Sequence, residues 1–510
     1  MPGGSMKKKI IRDSVHGYIA IPEIYFDKFV DTEAFQRLRY IEQTSMRCLY
    51  PCARHDRFAH SIGTFYIGKM LINSLIQNLK ELNSECYEAF SPKKWGEIAR
   101  TFELACLLHD CAHAPFSHIT EEYMDRPYDP DSGKAGLLVD LLCAEVGTYD
   151  VIFSDEDLLA CCTTNHEKAS ALLLWRKYKD DFINLDADPI LAMRMILGYS
   201  YSPANSIQET VLNCIFSLLN GAYMDADKLD YIIRDTASSG IDNYSVDLHR
   251  LIKSVTIVEY PDGMFKIGYL KTSISVIQNM ISAKNNLYLW IYAHHKVLYY
   301  SNLLRTCFEK AVGILFGLDH KTEKHKILAT CSHFISVDAM SSRTKVSSET
   351  HEEIIYLPCD ADIMVLIKNA YHIKPDDPDF IEFFSRIYKK SVWKSYAEFK
   401  SLFKNTKPMY NNIVSNSAKI IESLCACFKD KKNLSQKECW TILNAKAKLS
   451  ATKNAGIYVQ FDKQNVEEYS NISNVESNEL PAFFYLYYQG ASLTAAEKQR
   501  VIKVIKSYAV

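Results

Sequence analysis

Within twelve residues, Leu107-Leu108-His109-Asp110-Cys111-Ala112-His113-Ala114-Pro115-Phe116-Ser117-His118, the chain carries three histidines and an aspartate directly after an apolar run (Phe102, Leu104, Ala105, Leu107, Leu108). That run has the spacing of a buried helix face, and Pro115 ends such a helix or forces it to restart. His109-Asp110 therefore falls at the inner end of a core helix. Two polar groups are costly there unless something pairs with them. Neutral imidazole and carboxylate are both good ligands for a divalent metal. Two more polar anomalies sit on apolar-periodic helices: His60 at a first turn, and Asp227 within Met224–Asp235, a half-buried stretch with four aspartates. Two imidazoles and two carboxylates (His60, His109, Asp110, Asp227) make a mixed N/O site suited to Mn, Mg, Fe or Zn, with positions left open for water. The competing reading of the aspartates is a solvated acidic stripe. Taken alone, His166 reads as a capping or surface residue.

The positioning elements follow from periodicity and punctuation. Residues 7–22 alternate as a short hairpin turning near His16-Gly17. Helices are predicted over 22–30 and, capped by Asp31-Thr32, over 33–43, where Gln36, Arg37 and Arg39 could form a solvated face. A polar loop then leads into a helix over 60–80, and the His109 helix spans 96–112. Several helical segments fill 136–185, one long helix covers 210–235, and a hairpin over 254–270 turns at Pro261-Asp262-Gly263. Helices resume over 272–315. Beyond them, 338–352 reads as a polar loop, 360–450 as helical with Lys-rich surfaces, and 455–475 as a small strand pair. The fold class is mainly α with small β-hairpins.

Composition narrows the class of function. The 510 residues are 48% hydrophobic and 24% charged with a net charge of −2. That is an ordinary globular balance, with no global pull toward nucleic acid or membrane. No apolar run approaches the roughly 18 residues of a spanning helix. The fifteen cysteines are scattered and often flanked by apolar residues, which reads as reduced thiols in a cytoplasmic protein. Residues 1–6 look like an expression scar ahead of a native Met6, not a signal peptide.

The ordered pattern H…HD…D resembles the HD-domain phosphohydrolase superfamily, and within it the dNTP triphosphohydrolases. The wording around each ligand carries the likeness: Arg57-Phe58-Ala59-His60-Ser61-Ile62-Gly63, the 109–118 stretch, and Asp227-Lys228-Leu229-Asp230-Tyr231 with Arg234-Asp235. It covers roughly residues 7–310. The resemblance implies an HD-domain helical core over 7–315 and a mostly helical C-terminal lobe over 316–510, without the SAM domain some members carry. It implies metal ligands at His60, His109, Asp110 and Asp227, and a catalytic trio at His113, Glu121 and His166, with Glu121 in place of the usual Asp. Arg57, His118 and Lys228 would hold the triphosphate of a dNTP. Gln43, Tyr231 and Asp235 would pack on the deoxyribose and bond its 3′-hydroxyl. Around Tyr292–Lys296 the match is off by one residue, and no contacts are assigned there.

The same resemblance implies regulation. Lys9, Asp13, Asp31, Gln36 and Arg39 match an activator site, read by GTP or a dNTP, that lies between subunits of a homo-oligomer, a dimer or tetramer. Arg12 and Tyr18 depart from the family pattern, so the activator can differ. The reaction implied is dNTP plus water to deoxynucleoside plus triphosphate, dGTPase activity included, which in a bacterium would suit antiviral depletion of dNTPs. Two other readings stand beside it. One is an HD phosphodiesterase or nuclease on cyclic or single-stranded nucleic acid, which lacks support from a Gly-Tyr-Pro signature. The other is a nucleotide sensor that binds without turnover.

Overall fold

The computed structural model describes residues 7–125, 138–146, 164–221, 224–241, 246–260, 263–347, 352–403, 407–431, 434–445, 456–462, 465–472 and 483–508. The first six residues, and parts of the 136–185, 210–235, 254–270 and 338–352 expectations (136–137, 147–163, 222–223, Pro261, Asp262 and 348–351), lie outside them. The protein is mainly α, with small sheets.

Three helices build the centre. Arg57–Leu82 starts where the Asp56 carboxylate accepts from Ala59 N, and Pro92–Leu108 where Ser91 accepts from Lys94 N. Ala226–Ser239 starts where Asp225 accepts from Lys228 N. Arg57–Leu82 packs against both others. Contact with Pro92–Leu108 is close because of Gly68: a Cβ there would lie 2.4 Å from Cys106 Sγ. On these two helices Phe65, Leu71, Ile72, Phe102 and Leu104 are fully buried, each contributing about 1.5–3 kcal/mol.

The His109 helix stops at Leu108, short of the 112 expected. Beyond it the backbone is satisfied by side chains: Arg37 donates to the carbonyls of Cys111 and His113, and Ser170 Oγ accepts from Ala112 N. Arg37 is thus no part of a solvated face; it is buried. Its segment is helical over Glu33–Gln36 and then tightens to a 3₁₀ turn, Arg37–Tyr40.

The expected single helix over 210–235 is two, Ile207–Phe216 and Ala226–Ser239. Asp225 caps the second of them, its carboxylate accepting from both Gly221 N and Lys228 N. Residues 338–352 are not a simple loop. Thr344–Ser347 pairs antiparallel with Glu352–Ile355, a period of two that Ser, Thr and Glu had masked.

The N-terminal hairpin forms as expected, Lys8–Asp13 against Gly17–Pro22, and so does Val255–Glu259 against Phe265–Leu270. Tyr458–Gln460 pairs antiparallel with Val466–Glu468 and also runs parallel to Gly268–Leu270. The strand Phe483–Tyr488 is buried along its length between Lys390–Ser391 and Trp440–Ala445. Sequence periodicity missed it, since a six-residue apolar run has no alternation to read. Among the described residues no helix is long and apolar enough to cross a membrane.

Candidate active site and metal centre

His60 lies one turn into its helix and is fully buried. Its Nδ1 is 2.7 Å from Asp230 Oδ2. Asp230 is held well below the usual carboxylate range: burial works to raise it, but the Arg234 guanidinium, His16 and His60 outweigh that. An ionised carboxylate only accepts, so His60 donates through Nδ1 and presents Nε2. His109 does the same by another route. Its Nδ1 is 2.9 Å from the Cys106 carbonyl, which leaves Nε2 outward.

The two Nε2 atoms meet carboxylates without forming hydrogen bonds. His60 Nε2 is 3.0 Å from Asp227 Oδ1 and 3.7 Å from Asp110 Oδ2. His109 Nε2 is 3.8 Å from Asp227 Oδ1 and 3.7 Å from Asp110 Oδ1. Both nitrogens are buried without an aligned hydrogen-bond partner, the 3.0 Å approach included. Ligand atoms of His60, His109 and Asp227 lie within 4.8 Å of one another. Burial works against charge on His60, yet Asp227 and Asp230 raise its pKa to about 10. A centre that holds a proton this strongly is one where negative charge calls for a cation. Orphaned imidazole nitrogens facing carboxylates fit a divalent ion. Asp110 is the least free of the expected four, since its Oδ2 takes a 2.6 Å bond from Arg57 Nη1. Its pKa is well lowered: burial opposes ionisation, and Arg57, His109, His113 and His166 overcome it.

A second imidazole group adjoins the first. His166 Nε2 is 3.7 Å from Asp110 Oδ1. The His113 and His166 rings stack at 4.3 Å, with His118 edge-on to both. Glu121 bonds His166 Nδ1 at 2.9 Å and His118 Nδ1 at 2.7 Å, so the longer Glu side chain reaches both rings. Its carboxyl is strongly depressed: burial opposes, while His166 and His118 prevail. Glu121 in turn raises His166 to about 9 against its burial. Burial, with Arg57 and His166 nearby, pushes His113 far down. One charged and one neutral imidazole thus stand face to face beside the carboxylate cluster.

The other expected residues fall into smaller groups. Arg57 also donates to Ser117 Oγ and the Gln43 carbonyl. Lys228 Nζ is held by Asp225 and the Gly221 carbonyl. Asp235 is bonded by His55 and Tyr292, and His55 also accepts from Gln43 N through its carbonyl, so Gln43 and Asp235 are neighbours through His55. Tyr231 pairs with Tyr288 on the π-helical turn Tyr288–Tyr292. Of the activator set, Lys9 pairs with Asp31 at 3.3 Å, and Arg39 donates to Gln36 while covering the Phe58 ring. Asp13 does not join them; it accepts from Arg234.

Sequence reasoning overlooked several residues. Asp230 orients His60, and its signal was its spacing, three residues after Asp227 on one helix. Nothing local marked Asp360. Its carboxylate accepts from Phe116 N at 2.5 Å and Glu42 N at 2.9 Å, bracing the left-handed pair Phe116 and Ser117 (φ 56° and 53°) that follows the histidine loop. Such strain persists only where surroundings hold it.

Burial raises Asp360 to about 7, although its two backbone hydrogen bonds work the other way. Its folded pKa lies above its unfolded one, so the unfolded chain releases the proton first as pH rises. Its share of stability is therefore full below about pH 4 and falls until about pH 7, by on the order of 4 kcal/mol. Asp360→Asn should remove that slope. Urea unfolding of both proteins between pH 4.5 and 8 measures it, and a pH-independent difference between them would refute the assignment.

Several known proteins are similar to this chain in sequence. Deoxynucleoside triphosphate triphosphohydrolase SAMHD1 of Homo sapiens is 24% identical over 366 residues, 68% of this chain and 51% of that protein. Its Dictyostelium discoideum homologue is 26% identical over 290 residues, 56% and 46%. The chain resembles the SAMHD1-type triphosphohydrolases. An uncharacterized protein of Methanocaldococcus jannaschii is 27% identical over 290 residues, 57% of this chain and 47% of that one. The chain spans about half the length of these curated relatives. No family model matches it. The crystal structure of a hypothetical protein from Aquifex aeolicus shares the fold, with a TM-score of 0.55 at 18% identity, over 98% of this chain and all of that one.

Proposed function

We propose that this chain is a metal-dependent dNTP triphosphohydrolase, converting dNTP and water to deoxynucleoside and triphosphate. The observation that carries the reading is the pair of orphaned Nε2 atoms, of His60 and His109, facing Asp110 and Asp227 beside the His113–His166–Glu121 group. His60, His109, Asp110 and Asp227 would hold the ion, which supplies Lewis acidity toward a phosphoryl oxygen and lowers the pKa of bound water.

The remaining steps belong to side chains. His166, charged at neutral pH and fixed by Glu121, is suited to give its proton to the departing O5′ as the bond to the α-phosphorus breaks. Neutral His113 beside it orients the reacting group. Arg57 and Lys228 supply positive charge to the triphosphate, and His118 would offer it a ring N–H donor. Gln43, Tyr231 and Asp235 form the sugar end, where Asp235 would accept from the 3′-hydroxyl. Lys9, Asp13, Asp31, Gln36 and Arg39 are the proposed contacts for a GTP or dNTP activator between subunits of a homo-oligomer. The biological role that suits such an enzyme is dNTP depletion, antiviral in a bacterial host.

Anion-exchange analysis of products tests the reading. The protein with Mn²⁺ is incubated with each dNTP alone, then with all four plus GTP, beside His109→Ala/Asp110→Ala. Deoxynucleoside plus triphosphate, lost in the variant, is the expected result. Turnover confined to mixtures would support nucleotide activation. Monophosphate plus pyrophosphate, or no product in any mixture, would overturn the reading in favour of a phosphodiesterase or a sensor.

A further inference from the structure

Four residues from two distant segments close a ring behind His60. The Asp13 Oδ1 atom accepts from Val15 N and His16 N, both at 2.8 Å, which fixes the hairpin turn. His16 Nε2 reaches 2.6 Å to Asp230 Oδ1. Arg234 donates through Nε to Asp230 Oδ2 at 2.8 Å and through Nη2 to Oδ1 at 3.0 Å. Its Nη1 returns to Asp13 Oδ2 at 2.9 Å. The Asp230 and Arg234 side chains are at most 1% exposed, and those of His16 and Asp13 at most 6%. Onward from the ring, Asp230 Oδ2 bonds His60 Nδ1 at 2.7 Å, and the His16 ring packs 5.3 Å from that of Tyr66.

The backbone is adapted to this ring. Gly63, one turn after His60, faces it: a Cβ there would lie 1.9 Å from Asp230 Oδ1 and 2.4 Å from Arg234 Nη2. No side chain larger than hydrogen fits while Asp230 holds its place, so the helix carrying His60 is open at the point where the ring meets it.

We propose that the N-terminal hairpin is a positioning element for the metal centre, with His16 the residue that holds Asp230 on His60. Asp230 has two oxygens and four donors to serve. Arg234 bonds both oxygens as a fork from one side. His16 bonds the oxygen that His60 does not use, from a second direction, and so keeps Oδ2 aimed at His60 Nδ1, which sets the rotation of the His60 ring. Partners that orient a metal-ligating histidine in this way set its basicity and aim, and losing one typically costs about ten- to a hundredfold in metal affinity. His16 and Arg234 are positioning residues; neither touches the proposed ligand position. The inference rests on the metal-centre reading of His60, His109, Asp110 and Asp227.

The experiment measures metal binding directly, without turnover. Full-length wild type, His16→Ala, His16→Gln and Arg12→Ala are titrated with Co²⁺, read by its visible absorption, and with Mn²⁺ in competition with a chelator. Arg12 shares the hairpin but lies on its outer face against Tyr18, and it controls for disturbance of the hairpin. Thermal unfolding of each metal-free protein separates lost stability from lost affinity. His16→Ala should bind about ten- to a hundredfold more weakly, with an altered Co²⁺ spectrum. His16→Gln keeps an amide N–H donor near the Nε2 position and should recover most of the affinity, while Arg12→Ala should match wild type. Wild-type affinity and spectrum in His16→Ala would overturn the inference alone. Equal weakening in Arg12→Ala would overturn it too, by assigning the effect to hairpin stability. Absence of metal binding by the wild type would overturn the metal-centre reading, and this inference with it.

Discussion

Asp110→Ala is expected to abolish turnover and to destabilise the fold in one substitution. The Asp110 carboxylate stands between two roles. Its Oδ1 faces His109 and His166, each at 3.7 Å, and its Oδ2 takes the 2.6 Å bond from Arg57 Nη1. The two side chains of that ion pair are 4% and 2% exposed. Removing the carboxylate strands the Arg57 charge in the core, which costs about 3–5 kcal/mol. Removing a ligand of the proposed ion forfeits several kcal/mol of transition-state stabilisation, at least about a thousandfold in rate. Asp227→Ala separates the roles. Its side chain is 33% exposed and faces the buried His60 imidazole, not a buried guanidinium, so turnover should fall as far while less stability is lost than in Asp110→Ala. Urea unfolding and the product assay on both variants check this. Equal stability losses would mean that Arg57 finds another partner.

Arg37→Met should be the most damaging change outside the site. The guanidinium is 4% exposed. It donates to the carbonyls of Pro358 at 2.7 Å, Cys111 at 3.2 Å and His113 at 2.9 Å. Burial lowers its pKa to about 10, so it stays charged at neutral pH. Methionine keeps the bulk of the stem but leaves three buried carbonyls without that donor, an expected loss of about 3–5 kcal/mol. The loop holding His113 would also lose its anchor, and misplacement on the order of 1 Å costs about a hundredfold in rate. Arg37→Lys offers a point charge in place of a planar fork and should recover only part of both. Urea unfolding with single-turnover kinetics is the check. Wild-type stability in Arg37→Met would show that the carbonyls find water instead.

Much of this was legible in one dimension. The 3.6-residue period and caps located the helices around 60–80 and 96–112, and the hairpins at 7–22 and 254–270 followed from alternation and turn residues. His60, His109, Asp110 and Asp227 stood out because each is polar at the end of an apolar-periodic helix, and the structure brings the four together. The end of the first helix at Phe216 was not legible, since Val211, Cys214, Ile215, Leu218, Leu219 and Ala222 keep a helical period in the sequence. The start of the second is marked in the structure by the Asp225 carboxylate, bonded to Gly221 N and Lys228 N. The strand Phe483–Tyr488 was hidden for the opposite reason, as burial on both faces erases alternation.

Sequence by itself determined which residues could do chemistry, because ligand type and helical period are properties of the residue and its near neighbours. Tertiary structure alone decided what holds them. Asp230 on His60, His16 on Asp230, Arg37 across Cys111, His113 and Pro358, and Asp360 beneath Phe116 are contacts between segments as far as 321 residues apart. A hydrogen bond at that separation leaves no periodic trace in either segment. It exists only once packing has brought a buried donor to the one acceptor that can satisfy it.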